Sequence, residues 1–180
     1  MSLEEVRAKN IQLVSEKALD CFTKNGIANS KVADIAKAAG LTERSVYRYF
    51  EAKSDIVIAA AFCYWNRTKE HISRELSMHD YRDLSGIEQI SIILNSYANI
   101  LFIDPEGIRF SLDAEIALYS AGKNERVINR PPERFEEHSG PLSVAIEKGL
   151  KDGTVDPKAD IRQLYYNAYD SILGMMQRLT

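Results

Sequence analysis

Apolar positions recur at three- and four-residue steps along most of the chain, and the two-residue alternation of a strand is absent. Ile11, Val14, Ala18, Cys21 and Phe22 make one face of a first helix, stopped at Asn25-Gly26. Ser30 is the expected cap of a second helix with Val32, Ile35, Ala36 and Ala39 inward. After a tight turn at Gly40-Leu41, Thr42 caps a third helix with Val46 and Phe50 inward. A long fourth helix is predicted from Lys53 to about Met78. Further helices follow at Leu84–Phe102, from Asp104-Pro105 through Tyr119, at Leu142–Leu150, and from Asp156-Pro157 to Leu179. Gly122–Pro132 reads as irregular, since Pro131-Pro132 interrupts helix. The pattern predicts an all-α chain of two parts: a compact head of three short helices at 1–52 and a larger helical body at 53–180.

Composition changes this picture little. With 45% apolar and 27% charged residues among 180, the chain can bury a core, and disorder is excluded. The longest unbroken apolar run, Ile56–Trp65, is too short to cross a bilayer, so no membrane partner is expected. The chain opens without a secretory signal, and two cysteines make no disulfide framework; a reducing, cytoplasmic setting is the expectation. Charge says more through its distribution. The net is -3, but residues 1–60 carry nine basic and eight acidic side chains, against fourteen and eighteen in the rest. The slight positive excess lies in the head.

The informative stretch is Ser30–Lys53. Two short helices around Gly40 make a helix-turn-helix, whose outward third-helix face carries Arg44, Tyr47 and Arg48, flanked by Glu43, Ser45 and Tyr49. A polar, basic and aromatic helix face of this size suits a DNA major groove. The same spacing also describes any short helical hairpin with a solvated face.

Ile11, Ala18 and Phe22, then Gly26, Val32-Ala33-Asp34-Ile35-Ala36, Ala39-Gly40-Leu41-Thr42, and Ser45-Val46-Tyr47-Arg48-Tyr49-Phe50 before Lys53 together form a joint motif. It resembles the TetR-type (tetracycline-repressor-like) transcriptional regulators over roughly residues 6 to 65. The resemblance implies a homodimer that binds a palindromic double-stranded DNA operator and is released by a small-molecule effector. Thr42, Glu43 and Arg44 then open the recognition helix, where Arg44 can reach guanine O6 and N7. Glu43 either accepts from cytosine N4 or complements the positive end of its own helix. Lys31, Ser45, Tyr47, Tyr49 and Lys53 match phosphate-facing positions; Arg48 reaches a base or only solvent. One departure is Ala52, where the family often places a capping Ser, Asn or Asp; a lost cap costs about 1 kcal/mol, which Asp55 partly offsets.

By the same resemblance, aromatic residues of the body line an effector pocket: Phe62, Trp65, Tyr97, Phe110, Tyr119 and Tyr169. Core packing accounts for such residues equally. The last two helices are expected to dimerise, with Ile146, Leu164, Ala168, Ile172 and Met176 at the interface. No cofactor or metal is expected. His71 and Glu75 read as an exposed pair, His79-Asp80 and Glu136-Glu137-His138 as surface, and Cys21 and Cys63 as inert packing. No phosphate loop, nucleophile elbow or paired-cysteine motif marks an enzyme. The alternatives are a regulator that answers to a protein partner, and a helical interaction protein without ligand sensing.

Overall fold

A computed structural model describes residues 2–77, 81–122 and 140–179. Among them every regular element is helical: α1 (Leu3–Asn25), α2 (Val32–Ala38), α3 (Glu43–Tyr47), α4 (Lys53–Ser77), α5 (Gly86–Ile103), α6 (Pro105–Ser120), α7 (Pro141–Asp152) and α8 (Ile161–Leu179), with a 3-10 turn at Tyr81–Asp83. Pro131-Pro132, Met78, His79-Asp80 and Glu136-Glu137-His138 lie outside the described residues.

Two compact units emerge. The first holds the chain up to Asn66 and α6 from Arg109 onward. Its α1 buries Val14, Ala18, Leu19 and Phe22. The α1–α2 and α2–α3 contacts join three helices about Ile35, Ala36 and Val46, each 1% exposed or less. Phe22 of α1 stacks on Phe110 of α6 with ring centroids 5.9 Å apart. Packing thus groups α6 and the first half of α4 with the head, a different division from the functional one expected at residue 52.

The second unit holds Arg67–Ile108 and the described residues from Gly140 on. Its centre is α5, on which α7 and α8 pack. Of α5, Ile93, Tyr97 and Ile100 are buried. By length and composition α5 could cross a membrane; a third of it is buried, and α7 and α8 pack on it. The α5–α7 crossing is close because both helices place glycine there. A Cβ on Gly86 would overlap the backbone N and Cα of Gly149, and would lie 2.9 Å from the Ala145 carbonyl oxygen.

Three details correct the sequence expectations. Ser30 does not cap α2. Its buried hydroxyl donates to the carbonyls of Gly26 (2.8 Å) and Cys21 (3.1 Å), so it ties the turn to the end of α1. The N-cap of α2 is Lys31, which makes no side-chain cap bond. The last helix begins at Ile161, not at Asp156-Pro157. Asp156 instead closes a turn over Pro157: its carboxylate accepts from Lys158 N–H (2.8 Å) and its carbonyl from Ala159 N–H (2.9 Å). Asp160 then caps α8 by accepting from Gln163 N–H at 3.1 Å. Ile146 and Met176, expected at a dimer interface, are buried within their own unit.

Candidate nucleic-acid interface

The turn between α2 and α3 is fixed by backbone bonds. Gly40, at φ +67°, donates to the Lys37 carbonyl (3.1 Å), and Leu41 donates to Ala36 (2.9 Å). This pair of bonds closes a helix on a left-handed residue, which glycine supplies without a Cβ clash. Thr42 follows as N-cap of α3, its hydroxyl accepting from Ser45 N–H at 3.2 Å, as the sequence predicts. Val46 is fully buried beneath α3, so the opposite face must point outward. Glu43, Arg44, Tyr47 and Arg48 are exposed there; Ser45 and Tyr49 are half-buried. Regular helix ends at Tyr47, yet the backbone continues in turns through Tyr49 N–H to the Val46 carbonyl (2.9 Å) and Phe50 N–H to the same carbonyl (3.1 Å). Arg48 and Tyr49 therefore extend the surface that α3 begins.

Several of these side chains are already held. The Arg48 guanidinium lies 5.8 Å from the Tyr49 ring centroid, within cation–π range. It also approaches the Ser45 hydroxyl at 3.4 Å. Thr42 and Ser45 share a hydroxyl–hydroxyl bond of 2.9 Å. Lys31 is exposed at the start of α2. Lys53 is half-buried, and its ammonium donates to the Ile27 carbonyl at 2.5 Å. An ammonium carries three protons, so others stay available to a phosphate. At the start of α4, Asp55 accepts from Ala52 N–H at 2.9 Å. This is the reciprocal half of a capping box, and it supplies the offset expected for the missing cap at Ala52.

Asn10 and the Ile27 carbonyl are additions that the sequence reading missed. Asn10 Nδ2 donates to the Tyr49 hydroxyl at 3.0 Å, linking α1 to the end of the recognition segment. No local spacing signals a bond between residues so far apart in sequence. The only available hint was a polar residue on the same helix face as buried Val14, four positions later.

The aromatic residues expected around an effector divide between the units. Phe62, Trp65, Phe110 and Tyr119 belong to the first and Tyr97 to the second. The Tyr169 side chain lies outside the described residues. Trp65 meets Tyr64 edge-on at 5.0 Å, and Tyr64 meets Phe110 edge-on at 6.4 Å. Trp65, Tyr64, Phe110 and Phe22 are thus one aromatic chain through the first unit's core. Phe62 is half-buried and Tyr97 buried. Tyr119 is 70% exposed on α6, at the surface rather than in the interior that a pocket residue requires. His71 and Glu75 are half-buried rather than exposed, and no cluster suited to a metal occurs among the described residues. Cys63 is buried. Burial pushes the Cys21 thiol up, and the nearby carboxylates of Asp20 and Asp34 push it further; the residue is half-buried.

Comparison with known proteins agrees with this geometry. The profile of the family described as bacterial regulatory proteins, tetR family, matches residues 15–60. A probable HTH-type transcriptional regulator, ArpR of Pseudomonas putida, is 32% identical over 179 residues, covering 97% of this chain and 81% of that protein. A fatty acid metabolism regulator protein of Bacillus subtilis is 35% identical over 160 residues, covering 89% and 77%. Among solved structures, the transcriptional regulator FadR of Bacillus subtilis, crystallised with stearoyl-CoA, superposes with a TM-score of 0.61 at 17% identity, covering 92% of this chain and 84% of that one. Identity at this level over most of both chains, with a helix-turn-helix assembled residue by residue, decides the matter: the chain belongs to the TetR family of transcriptional regulators, and it is a DNA-binding regulator rather than an enzyme.

Proposed function

We propose that the protein is a homodimeric repressor that leaves a palindromic operator when a small molecule binds its body. The observation that carries the DNA side is the exposed row Glu43, Arg44, Tyr47 and Arg48, held outward by buried Val46 and opened by the Thr42 cap. Residues 1–52 supply DNA binding, and residues 53–180 supply effector binding and dimerisation. Arg44 meets a base edge, while Lys31, Ser45, Tyr47, Tyr49 and Lys53 meet phosphates. Two relatives support a fatty acyl effector. One is named for fatty acid metabolism, and a structural neighbour was crystallised with stearoyl-CoA.

The test is a duplex selected in vitro from a random pool, titrated with and without a long-chain acyl-CoA. Loss of affinity by several-fold to a hundredfold is expected, a coupling of about 1–3 kcal/mol. Linkage requires the duplex to weaken acyl-CoA binding by the same factor. Acyl-CoA binding that is equally tight with and without the duplex would exclude release by this effector.

A further inference from the structure

We propose that Asn10 aims the Tyr49 hydroxyl proton at the DNA backbone, which makes α1 a working part of the nucleic-acid interface. The inference rests on the reading above that Tyr49 meets a phosphate. A phenol has one proton to give and lone pairs with which to accept. Asn10 Nδ2 donates to the Tyr49 oxygen at 3.0 Å, so the oxygen is engaged there as an acceptor. The phenolic proton must then point elsewhere. Phosphate oxygens only accept, so the hydroxyl is in the state that a phosphate requires.

The surroundings hold this arrangement in place. Asn10 lies four residues before Val14, which is fully buried, so the core of the first unit fixes the height and rotation of the amide. Both Asn10 and Tyr49 are half-buried, which leaves the hydroxyl within reach of a ligand. Arg48 stands 5.8 Å from the Tyr49 ring centroid and restrains the ring plane. The residue type matters. An aspartate at position 10 would still bond Tyr49, but as the acceptor, turning the proton inward and adding negative charge near the phosphate. Asn10 is therefore a positioning residue that acts through Tyr49.

A double-mutant cycle tests this on a duplex selected in vitro and on an unrelated duplex of equal length. Melting temperatures show that each variant is folded. Tyr49→Phe and Asn10→Ala should each weaken binding to both duplexes by about fivefold, the scale of one hydrogen bond, without changing base preference. In the Tyr49→Phe background Asn10→Ala should add nothing. Asn10→Asp should weaken binding more than Asn10→Ala does, and more with Tyr49 intact than in the Tyr49→Phe background. Should Asn10→Ala unfold the head, Asn10→Asp, which keeps the link, carries the same comparison. A loss from Tyr49→Phe with none from either Asn10 variant would overturn the positioning role while leaving the phosphate contact standing. An Asn10→Ala loss that persists undiminished in the Tyr49→Phe background would overturn it as well. No loss from Tyr49→Phe would remove the phosphate contact itself, and this inference with it. A change in base preference with Asn10→Ala would place Tyr49 against a base, again overturning the proposal.

Discussion

Arg44 and Lys53 are both basic and both belong to the head, but their settings predict opposite roles. Arg44 is exposed in the first turn of α3, where side chains reach base edges. Lys53 is half-buried at the start of α4 and anchored to the Ile27 carbonyl. Arg44→Ala should cost roughly 1–3 kcal/mol on the selected operator and relax preference at one base pair per half-site. Lys53→Ala should weaken all sequences alike and lower the salt slope by about one unit per head. Titrations of single-base operator variants at several salt concentrations separate the two. If Lys53→Ala changed base preference and Arg44→Ala did not, the recognition surface would be wrongly placed. At this scale, legibility tracks sequence distance. Thr42 bonds within its own turn, so its role could be read from the sequence. Asp55, three residues from Ala52, was legible for the same reason. Ser30 looked like a cap and was not, because its hydroxyl finds the end of α1, nine residues back at Cys21. The Asn10–Tyr49 bond was out of reach because only the packed fold brings its partners together.

In the second unit α5 crosses α7 at close range, and two tests address that crossing. Gly86 opens α5 against Gly149 of α7, while Asp152 accepts from Gly86 N–H at 2.7 Å and Thr154 accepts from Ile87 N–H at 3.2 Å. Backbone meets backbone here, so an added methyl group has no flexible side chain to displace. Gly86→Ala should destabilise the fold by about 1–3 kcal/mol or more, read by denaturant melts. Gly174→Ala is the control, since a Cβ there meets nothing within 4 Å. The same helix start should respond to acid. Bonds from the Ser85 hydroxyl and backbone N–H hold the Glu88 carboxyl below its ordinary range. Thr154, then Gly86 N–H, do the same for Asp152. Carboxyls with depressed native values stabilise the fold above the ordinary carboxylate range, and that contribution fades as pH falls through the depressed values. The start of α5 should therefore loosen only below about pH 4. NMR titration of the Gly86 and Ile87 amides would show this, and Glu88→Gln should remove the Ser85 part of the response. Helices of this kind were legible from periodicity, since each needs only its own apolar stripe. The glycine crossing was not, because periodicity cannot say which two helices meet or where.

At the scale of the whole molecule, the proposed dimer turns on which face of α8 is free. The sequence pattern suggested a stripe through Leu164, Ala168, Ile172 and Met176. Met176 is 2% exposed, so that stripe turns inward at its end. Among the described side chains of α8, the outward apolar residues are Leu164 at 44%, Met175 at 49% and Leu179 at 66% exposed. The spacing from Leu164 to Met175 is eleven residues, close to three full turns, so the two share a face. The free face thus keeps Leu164 of the suggested stripe and takes Met175 in place of Met176. Periodicity located an apolar helix but left open which flank the core would take, because both flanks carry apolar residues. The exchange of Met176 for Met175 sharpens the test for a dimer. Glutamates in place of Leu164 and Met175 would set like charges across a two-fold axis without touching the core. That double variant should keep its helicity, sediment as a monomer, and lose affinity for a two-half-site operator. Met176→Glu should instead bury a carboxylate in the second unit and lower its melting temperature sharply. Sedimentation that showed an undiminished dimer in the Leu164→Glu, Met175→Glu protein would move the interface off this face. A dimer lost only with Met176→Glu, together with the fold, would leave α8 as core and nothing more.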